Sequence, residues 1–295
     1  MLYDVEKWSN WILKEVKKEI GRFYPPEPDG SIPVGYIWSR TIPCQNPSCG
    51  AEIPLMRQFW LAKKKNKKVA LFPYVEAKKV HFKIVGDGYE TIPEGFNPAQ
   101  GTVAKAVAIC PVCGGVIDAK TTRKLFHERK SGQKMVAVVL RHSKKQGKSY
   151  RISKEEDLEV FMEAENCLKE KRTKLMDEWG IDPVPGEEIP LMSGVFNVPI
   201  YGMHKWGDLF NSRQKLALIT FMEKVRQVHD KMLEASVEEE YAKAVVSYLA
   251  VIFDRLADKN SNLVVYNVIG EKVEHVFGRQ ALGMVWDYVE VNPFI

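Results

Sequence analysis

The fold is decided by two short cysteine motifs, Cys44-Gln-Asn-Pro-Ser-Cys49-Gly50 and Cys110-Pro-Val-Cys113-Gly114-Gly115. Each motif places two thiols on one tight turn. A glycine follows the second thiol of each pair, where such turns often require a positive φ. Zinc takes four ligands in a tetrahedron and favours thiolates in structural sites. We therefore predict that Cys44, Cys49, Cys110 and Cys113 bind one structural zinc ion, with no coordination position left for water.

Two other interpretations of these cysteines stay open, namely buried free thiols and a redox-active Cys-x-x-Cys pair. The fifth cysteine, Cys167, is expected to lie outside the site. An odd number of cysteines, together with an N-terminus that has no apolar signal core, argues against a disulfide framework and against secretion. We expect a cytoplasmic protein.

The ribbon predicted from these motifs contains a long insertion. The 60 residues between Cys49 and Cys110 exceed the usual separation of about 15–20 residues between zinc pairs. Short β-like runs within them indicate that the insertion forms its own hairpins outside the ribbon. Residues 4–23 show the three-and-four spacing of an amphipathic helix, and helical periodicity returns after Ser153.

The sequence therefore predicts an α+β protein in three regions. These are an N-terminal helix and linker (1–30), a β-rich zinc-ribbon module with an inserted hairpin region (31–152), and a mainly helical region (153–295). A length of 295 residues and a 45% hydrophobic composition suit about two globular domains. The sequence has no apolar run of about 18 residues, so no membrane span is predicted.

Charge is distributed unevenly along the chain. The net charge of +5 combines a balance of +13 in residues 1–150 with −8 in residues 151–295. Phosphate backbones are the commonest partners of such basic segments. Two turns concentrate the lysines, and we predict that they contact nucleic acid through Lys63, Lys64, Lys65, Lys67, Lys68, Lys144, Lys145, Lys148 and Arg151.

The alternative for these turns is an ordinary solvated hairpin tip. The nearby aromatics Phe59, Trp60 and Tyr150 either stack on bases or belong to the core. The sequence contains no glycine-rich nucleotide loop, no G-x-S-x-G elbow and no H-E-x-x-H motif, and its six histidines lack ligand spacing. No catalytic residue is therefore assigned.

Four segments resemble the large prokaryotic adenine-specific DNA methylases that contain a zinc ribbon. They are Gly35-Tyr-Ile-Trp-Ser-Arg-Thr-Ile-Pro with the cysteine motif that follows it, the Cys110 motif, Tyr201-Gly-Met-His-Lys-Trp206-Gly-Asp208, and Phe277-Gly-Arg279-Gln280 through Asn292-Pro293-Phe294. The resemblance covers nearly the whole chain. It implies a methyltransferase of restriction–modification type that uses S-adenosylmethionine.

The chain departs from that family at two motifs. The glycine-rich S-adenosylmethionine loop is absent, and so is the Asp/Asn-Pro-Pro-Tyr/Phe tetrapeptide, since Asn292-Pro293-Phe294 lacks the second proline. The resemblance therefore implies the DNA-recognition middle of the enzyme, inactive alone, with DNA and a missing or separate catalytic domain as partners. It would be a fragment, a split-gene product or a subunit, and S-adenosylmethionine would bind only in the complete enzyme.

Two alternatives to the methylase remain. One is a free-standing zinc-ribbon protein that binds nucleic acid or acts as an adaptor without catalysis, and the other is a purely structural partner protein. If the acidic half packs against a missing catalytic domain, several apolar residues of 263–294 should form an exposed patch.

Overall fold

The computed structural model describes residues 1–144 and 146–295. Within these residues the chain forms an α+β fold, as predicted, with strands mostly in the first half and helices later. The α-helices are α1 Leu2–Ile20, α2 Ala119–His127, α3 Glu155–Trp179, α4 Ser212–Glu234 and α5 Glu239–Lys259. Short 3-10 helices occupy Gly21–Phe23, Val198–Tyr201 and Trp206–Leu209.

The strands are short outside the central sheet and the insertion. They are β1 Ile32–Pro43, β2 Glu52–Leu55, β3 Trp60–Lys64, β4 Lys67–Glu76, β5 Lys79–Gly86, β6 Val103–Ala104, β7 Val107–Ile109, β8 Val116–Ile117, β9 Gly132–Arg141, β10 Lys148–Ile152, β11 Tyr266–Asn267, β12 Lys272–Val273 and β13 Asp287–Val291.

The long strand β1 lies at the centre of an antiparallel sheet with the order β10-β9-β1-β13. One edge of β1 is shared, because β13 pairs with its first half and β2 pairs with its last four residues. The other edge pairs with β9 along most of its length. The strand therefore connects two different environments, a helix-packed half and a cysteine-bearing end.

The two faces of this sheet bury different neighbours. Tyr36 and Trp38 lie in one hydrophobic cluster with α1, α3, α4 and α5. Ile37, between them, lies in a second cluster with the inserted strands β3–β5. This alternation follows from the two-residue period of a strand, and it explains why β1 is apolar on both faces.

The insertion forms a separate three-stranded antiparallel sheet with the order β3-β4-β5, as the sequence predicted. Val69, Leu71 and Phe82 bury its inner face against the central sheet. The run 104–109 is divided into β6 and β7 by a turn in which Lys105 and Ala106 have positive φ. The periodicity of this run could not show the turn, because neither residue is a typical turn former.

The helices pack as the apolar spacing of the sequence indicates. In α1 the buried residues Ile12, Val16 and Ile20 recur every four positions, and burial of each such side chain contributes about 1.5–3 kcal/mol.

Helix α4 begins with a capping box, in which Gln214 N–H donates to Asn211 Oδ1 (2.8 Å) and Asn211 N–H donates to Gln214 Oε1 (2.9 Å).

The C-terminal segment differs from its expectation. The exposed apolar patch expected over 263–294 does not form. Leu263, Val264, Leu282, Trp286 and Val289 are buried within the chain, while Ile269 and Phe277 are exposed. The division at residues 30 and 152 stays a prediction, and β13 from the last region completes the sheet of the middle region.

Candidate metal centre and nucleic-acid interface

Each cysteine motif lies on the turn between two paired strands. Cys44 follows β1 and Cys49 precedes β2, and Cys44 N–H donates to the carbonyl of Ala51 (2.8 Å). Cys110 and Cys113 lie in the same way between β7 and β8, and Cys110 N–H donates to the carbonyl of Gly115 (2.9 Å). The glycines after the second cysteines, Gly50 and Gly114, have φ values of 62° and 71°, as the sequence predicted.

The four sulfur atoms meet in one cluster although 60 residues separate the motifs. The Cys44 Sγ–Cys113 Sγ distance is 3.7 Å and the Cys49 Sγ–Cys110 Sγ distance is 3.8 Å. All four ligand atoms lie within 4.8 Å of one another, so Cys44, Cys49, Cys110 and Cys113 are positioned to hold a metal ion. A tetrahedron with metal–sulfur distances of about 2.3 Å has sulfur–sulfur edges of about 3.8 Å, which these separations match.

Backbone amides of the second cysteine motif donate hydrogen bonds that stabilise negatively charged sulfur. The N–H groups of Val112 and Cys113 donate to the Cys110 sulfur, and the N–H of Gly115 donates to the Cys113 sulfur. This last donation lowers the pKa of the exposed Cys113 thiol to about 7, whereas burial raises the pKa of the Cys44 thiol to about 12. A divalent cation would be needed to keep all four sulfurs deprotonated together.

The arrangement also bears on the two other interpretations of the cysteines. The sulfur contacts at 3.7 Å and 3.8 Å join different motifs, whereas a redox Cys-x-x-Cys pair would use Cys110 with Cys113. The four thiols converge and accept hydrogen bonds from backbone amides, which suits a metal that binds thiolates. This arrangement fits a metal site better than it fits four unrelated free thiols. Cys167 lies half-buried in α3, outside the cluster, as predicted.

The two lysine-rich turns lie in contact with each other. The first turn is the tip of the β3–β4 hairpin, and Lys67 Nζ donates to the carbonyl of Lys148, at the start of β10 (2.5 Å). The second turn lies between β9 and β10, and its Lys145 lies outside the described residues. Lys63, Lys65, Lys68 and Lys144 are exposed, whereas Lys64, Lys67 and Lys148 are partly buried.

A buried carboxylate holds the partly buried lysines of this surface. Glu271, in the β11–β12 turn, forms ion pairs with Lys64 and with Lys67 (2.6 Å), and its backbone carbonyl accepts a hydrogen bond from Lys148. The Tyr150 hydroxyl lies 2.5 Å from Glu271 Oε1. Burial would raise the pKa of the Glu271 carboxyl, but the hydrogen bonds from these lysines and Tyr150 outweigh it and lower the pKa to about 2.

The remaining residues predicted for this surface have structural contacts. Arg151 forms ion pairs with Glu27 and Asp157, both at 2.6 Å, and joins the N-terminal linker to α3. Phe59 and Tyr150 are buried, and Trp60 is half-buried in the same cluster, so these aromatics belong to the core. Exposed lysines, rather than aromatics or Arg151, are therefore the groups of this surface that a phosphate backbone could reach.

Sequence reasoning missed the partner that organises this surface. Nothing around Glu271 marks it as a ligand of two distant lysine turns, because 204 residues separate it from Lys67. The sequence also did not reveal a second set of lysines, Lys78, Lys79 and Lys134, beside the cysteine cluster.

Comparison with known proteins finds no match, since neither a family model nor a curated protein nor a solved structure is similar to the chain. Among the described residues, no helix combines the length and the apolar character that a bilayer span requires.

Proposed function

We propose that the chain is the DNA-recognition portion of an adenine-specific DNA methyltransferase, built on a structural zinc ribbon and inactive alone. The observation that carries DNA recognition is the convergence of two lysine-rich turns at one end of the insertion, with Lys63, Lys65, Lys68 and Lys144 exposed. The methyltransferase context rests on the sequence resemblance.

The proposed zinc is bound by Cys44, Cys49, Cys110 and Cys113 and has a structural role. Four thiolates fill its coordination shell, so it holds the two hairpins together and supplies no Lewis-acid chemistry. The residues present do not fit S-adenosylmethionine, because the glycine-rich loop and the Pro-Pro tetrapeptide are absent. No methyl-transfer step is therefore assigned to this chain.

The DNA-binding part is tested by a salt titration of duplex DNA. Lysines at a hairpin tip contact phosphates rather than base edges, so binding should be weakly sequence-dependent. In a plot of log binding constant against log salt concentration, the magnitude of the negative slope should decrease by about 0.9 for each phosphate contact removed. The triple variant Lys63→Gln, Lys65→Gln, Lys68→Gln should flatten the slope by about 2.7 if all three contact phosphates. This triple variant keeps the ion pairs that Lys64 and Lys67 form with Glu271.

The matched control is the triple variant Lys14→Gln, Lys17→Gln, Lys18→Gln, whose exposed lysines lie on α1. It removes the same charge from a surface that the proposal does not use. Equal slopes for the two triple variants would show that the hairpin tip is merely solvated. A wild-type chain that binds no duplex DNA would end the recognition role.

A free-standing nucleic-acid-binding or adaptor protein is the second candidate, and one observation favours it. The apolar side chains of 263–294 are largely buried within the chain rather than left for a catalytic partner. A calorimetric titration with S-adenosylmethionine and an assay of labelled methyl transfer address catalysis. We expect neither binding nor transfer by the isolated chain. Methyl transfer that a point mutation within the chain abolishes would contradict the inactive assignment.

A further inference from the structure

A cleft of about 370 Å³ lies between the first cysteine motif and the far end of the β4–β5 hairpin. Its walls include Cys49, Glu52, Lys78, Lys79, His81 and Lys134. Lys78 Nζ donates to the carbonyl of Ser48 (3.0 Å), which fixes the hairpin end against the cysteine turn. The metal centre therefore forms one wall of the cleft and the insertion forms the opposite wall.

Charge in the cleft is predominantly positive. Three lysines and one glutamate line it, and the glutamate, Glu52, accepts a hydrogen bond from Thr41 Oγ1 (2.6 Å). Lys79 is exposed, while Lys134 is half-buried with its Nζ donating to the carbonyl of Val80 (2.8 Å). A second hollow of about 320 Å³ shares Gly50 and Glu52 with the cleft and adds Arg129 and Lys130. Cations therefore line both hollows, while Glu52 borders both of them and Lys130 pairs with Glu128 (2.8 Å).

An aromatic pair stands beside the cleft. Tyr74 and His81 are cross-strand partners whose rings stack at 5.4 Å with an interplanar angle of 26°. His81 lines the cleft, and Tyr74 remains 40% exposed, whereas Phe59 and Phe82 of the insertion are buried. An exposed ring next to cations is the combination with which proteins bind unpaired bases.

This cleft is separate from the surface formed by the lysine-rich turns. The turns lie at the Lys67 end of β4, and the cleft lies beyond its Glu76 end. Ten residues of strand at about 3.3 Å each place the two surfaces roughly 30 Å apart.

We propose that the cleft beside the cysteine cluster binds unpaired, single-stranded DNA, with one base stacked on Tyr74 and phosphates near Lys79 and Lys130. The proposal deepens the DNA-recognition role and rests on it. Base pairs in a duplex keep their faces stacked, so only an unpaired base reaches the Tyr74 ring. The site contacts backbone and ring faces, and its sequence preference is therefore weak.

The test measures fluorescence anisotropy of a labelled thymidine oligomer of about twelve nucleotides with the full chain. Tyr74→Ala should weaken binding about 5- to 150-fold, the range for loss of one base–aromatic stack, and Tyr74→Phe should restore it. The double variant Lys79→Gln, Lys130→Gln should lower the log–log salt slope by about 1.4, at about 0.7 for each single-strand phosphate contact.

Two matched variants separate this site from the rest of the surface. Tyr248→Ala removes a tyrosine of α5 that is 56% exposed, and the double variant Lys14→Gln, Lys17→Gln removes two exposed lysines from α1. Both should bind the oligomer with wild-type affinity.

The failure of this proposal differs from the failure of the DNA-recognition role. If the chain binds duplex DNA but Tyr74→Ala and the Lys79/Lys130 variant bind the oligomer like wild type, the cleft assignment is wrong and DNA recognition stands. If the chain binds neither form of DNA, both are wrong.

Discussion

The two ends of β1 are held by different means. At its C-terminal end, Cys44 joins three other thiols in a cluster that is positioned to hold a metal ion. In its first half, Trp38 Nε1 donates to Glu290 Oε2 (2.8 Å), and the same carboxylate forms a buried ion pair with Arg213 (2.5 Å). If zinc binds as proposed, the first end depends on an ion from outside the chain, whereas the polar groups at the second end are paired with side chains of the chain itself.

The two ends should therefore respond differently to a change in metal supply. The Glu290–Arg213 pair lies almost without solvent contact, and the Arg213 guanidinium stands 4.0 Å from the centre of the Tyr36 ring. Breaking a buried ion pair of this kind is costly, and its stability does not depend on the supply of metal. The cysteine end should instead lose its order when metal is removed, while the helix-packed half remains folded.

Metal removal should produce the largest effect. Binding of structural zinc contributes about 10–16 kcal/mol in small zinc domains. Chelation, or the substitution Cys110→Ser, should therefore make the β7–β8 and β1–β2 turns sensitive to proteolysis. Helical circular dichroism should be largely retained, because α1, α3, α4 and α5 pack in a different cluster.

Cys167→Ser is the matched control for that experiment, since Cys167 lies in α3 and outside the cluster. It should bind as much metal as the wild type. Complete loss of helical signal on chelation would show that the two ends of β1 are not separable.

The next effect concerns the buried ion pair. Arg213→Met leaves Glu290 as an unpaired buried charge, which should lower the free energy of unfolding by about 3–5 kcal/mol. Replacing both partners, as Arg213→Met with Glu290→Gln, should cost less, because no buried charge is then left alone. Urea unfolding monitored by tryptophan fluorescence measures both changes.

A surface pair sharpens this prediction. Arg172 pairs with Asp182, and their side chains are 48% and 32% exposed. Arg172→Met should cost no more than about 1 kcal/mol, as for other exposed pairs. Equal costs for Arg172→Met and Arg213→Met would contradict the role assigned to the buried pair.

The two ends also differ in how much of their structure can be predicted from the sequence. The cysteine end was predictable because spacing within each motif and the glycines after it encode a local turn, and only the joining of the two motifs is long-range. The Trp38–Glu290 contact spans 252 residues, and neither residue carries a local signal of its partner. The pairing of β13 with β1 could not be predicted for the same reason, since it is decided by packing across the whole chain.

The last effect is a pH dependence at the lysine-rich turns. The pKa of Glu271 is about 2 in the folded chain, below its ordinary value of 4.5, so its ion pairs stabilise the fold above about pH 4.5. This stabilisation, about 3 kcal/mol at most, should be lost as the pH falls from about 4.5 to about 2.

Glu271→Gln isolates this contribution from the other groups that titrate in acid. The difference in free energy of unfolding between wild type and Glu271→Gln should shrink over that pH interval. A constant difference would mean that the three lysines do not depend on the charge of Glu271.

The central claim is that four thiolates of this chain share one zinc ion. Zinc-edge X-ray absorption on the protein, purified without added metal, tests it most directly. We expect one zinc per chain with four sulfur neighbours at about 2.3 Å. A chain without zinc, or a shell in which nitrogen or oxygen replaces any of the four sulfurs, would contradict it.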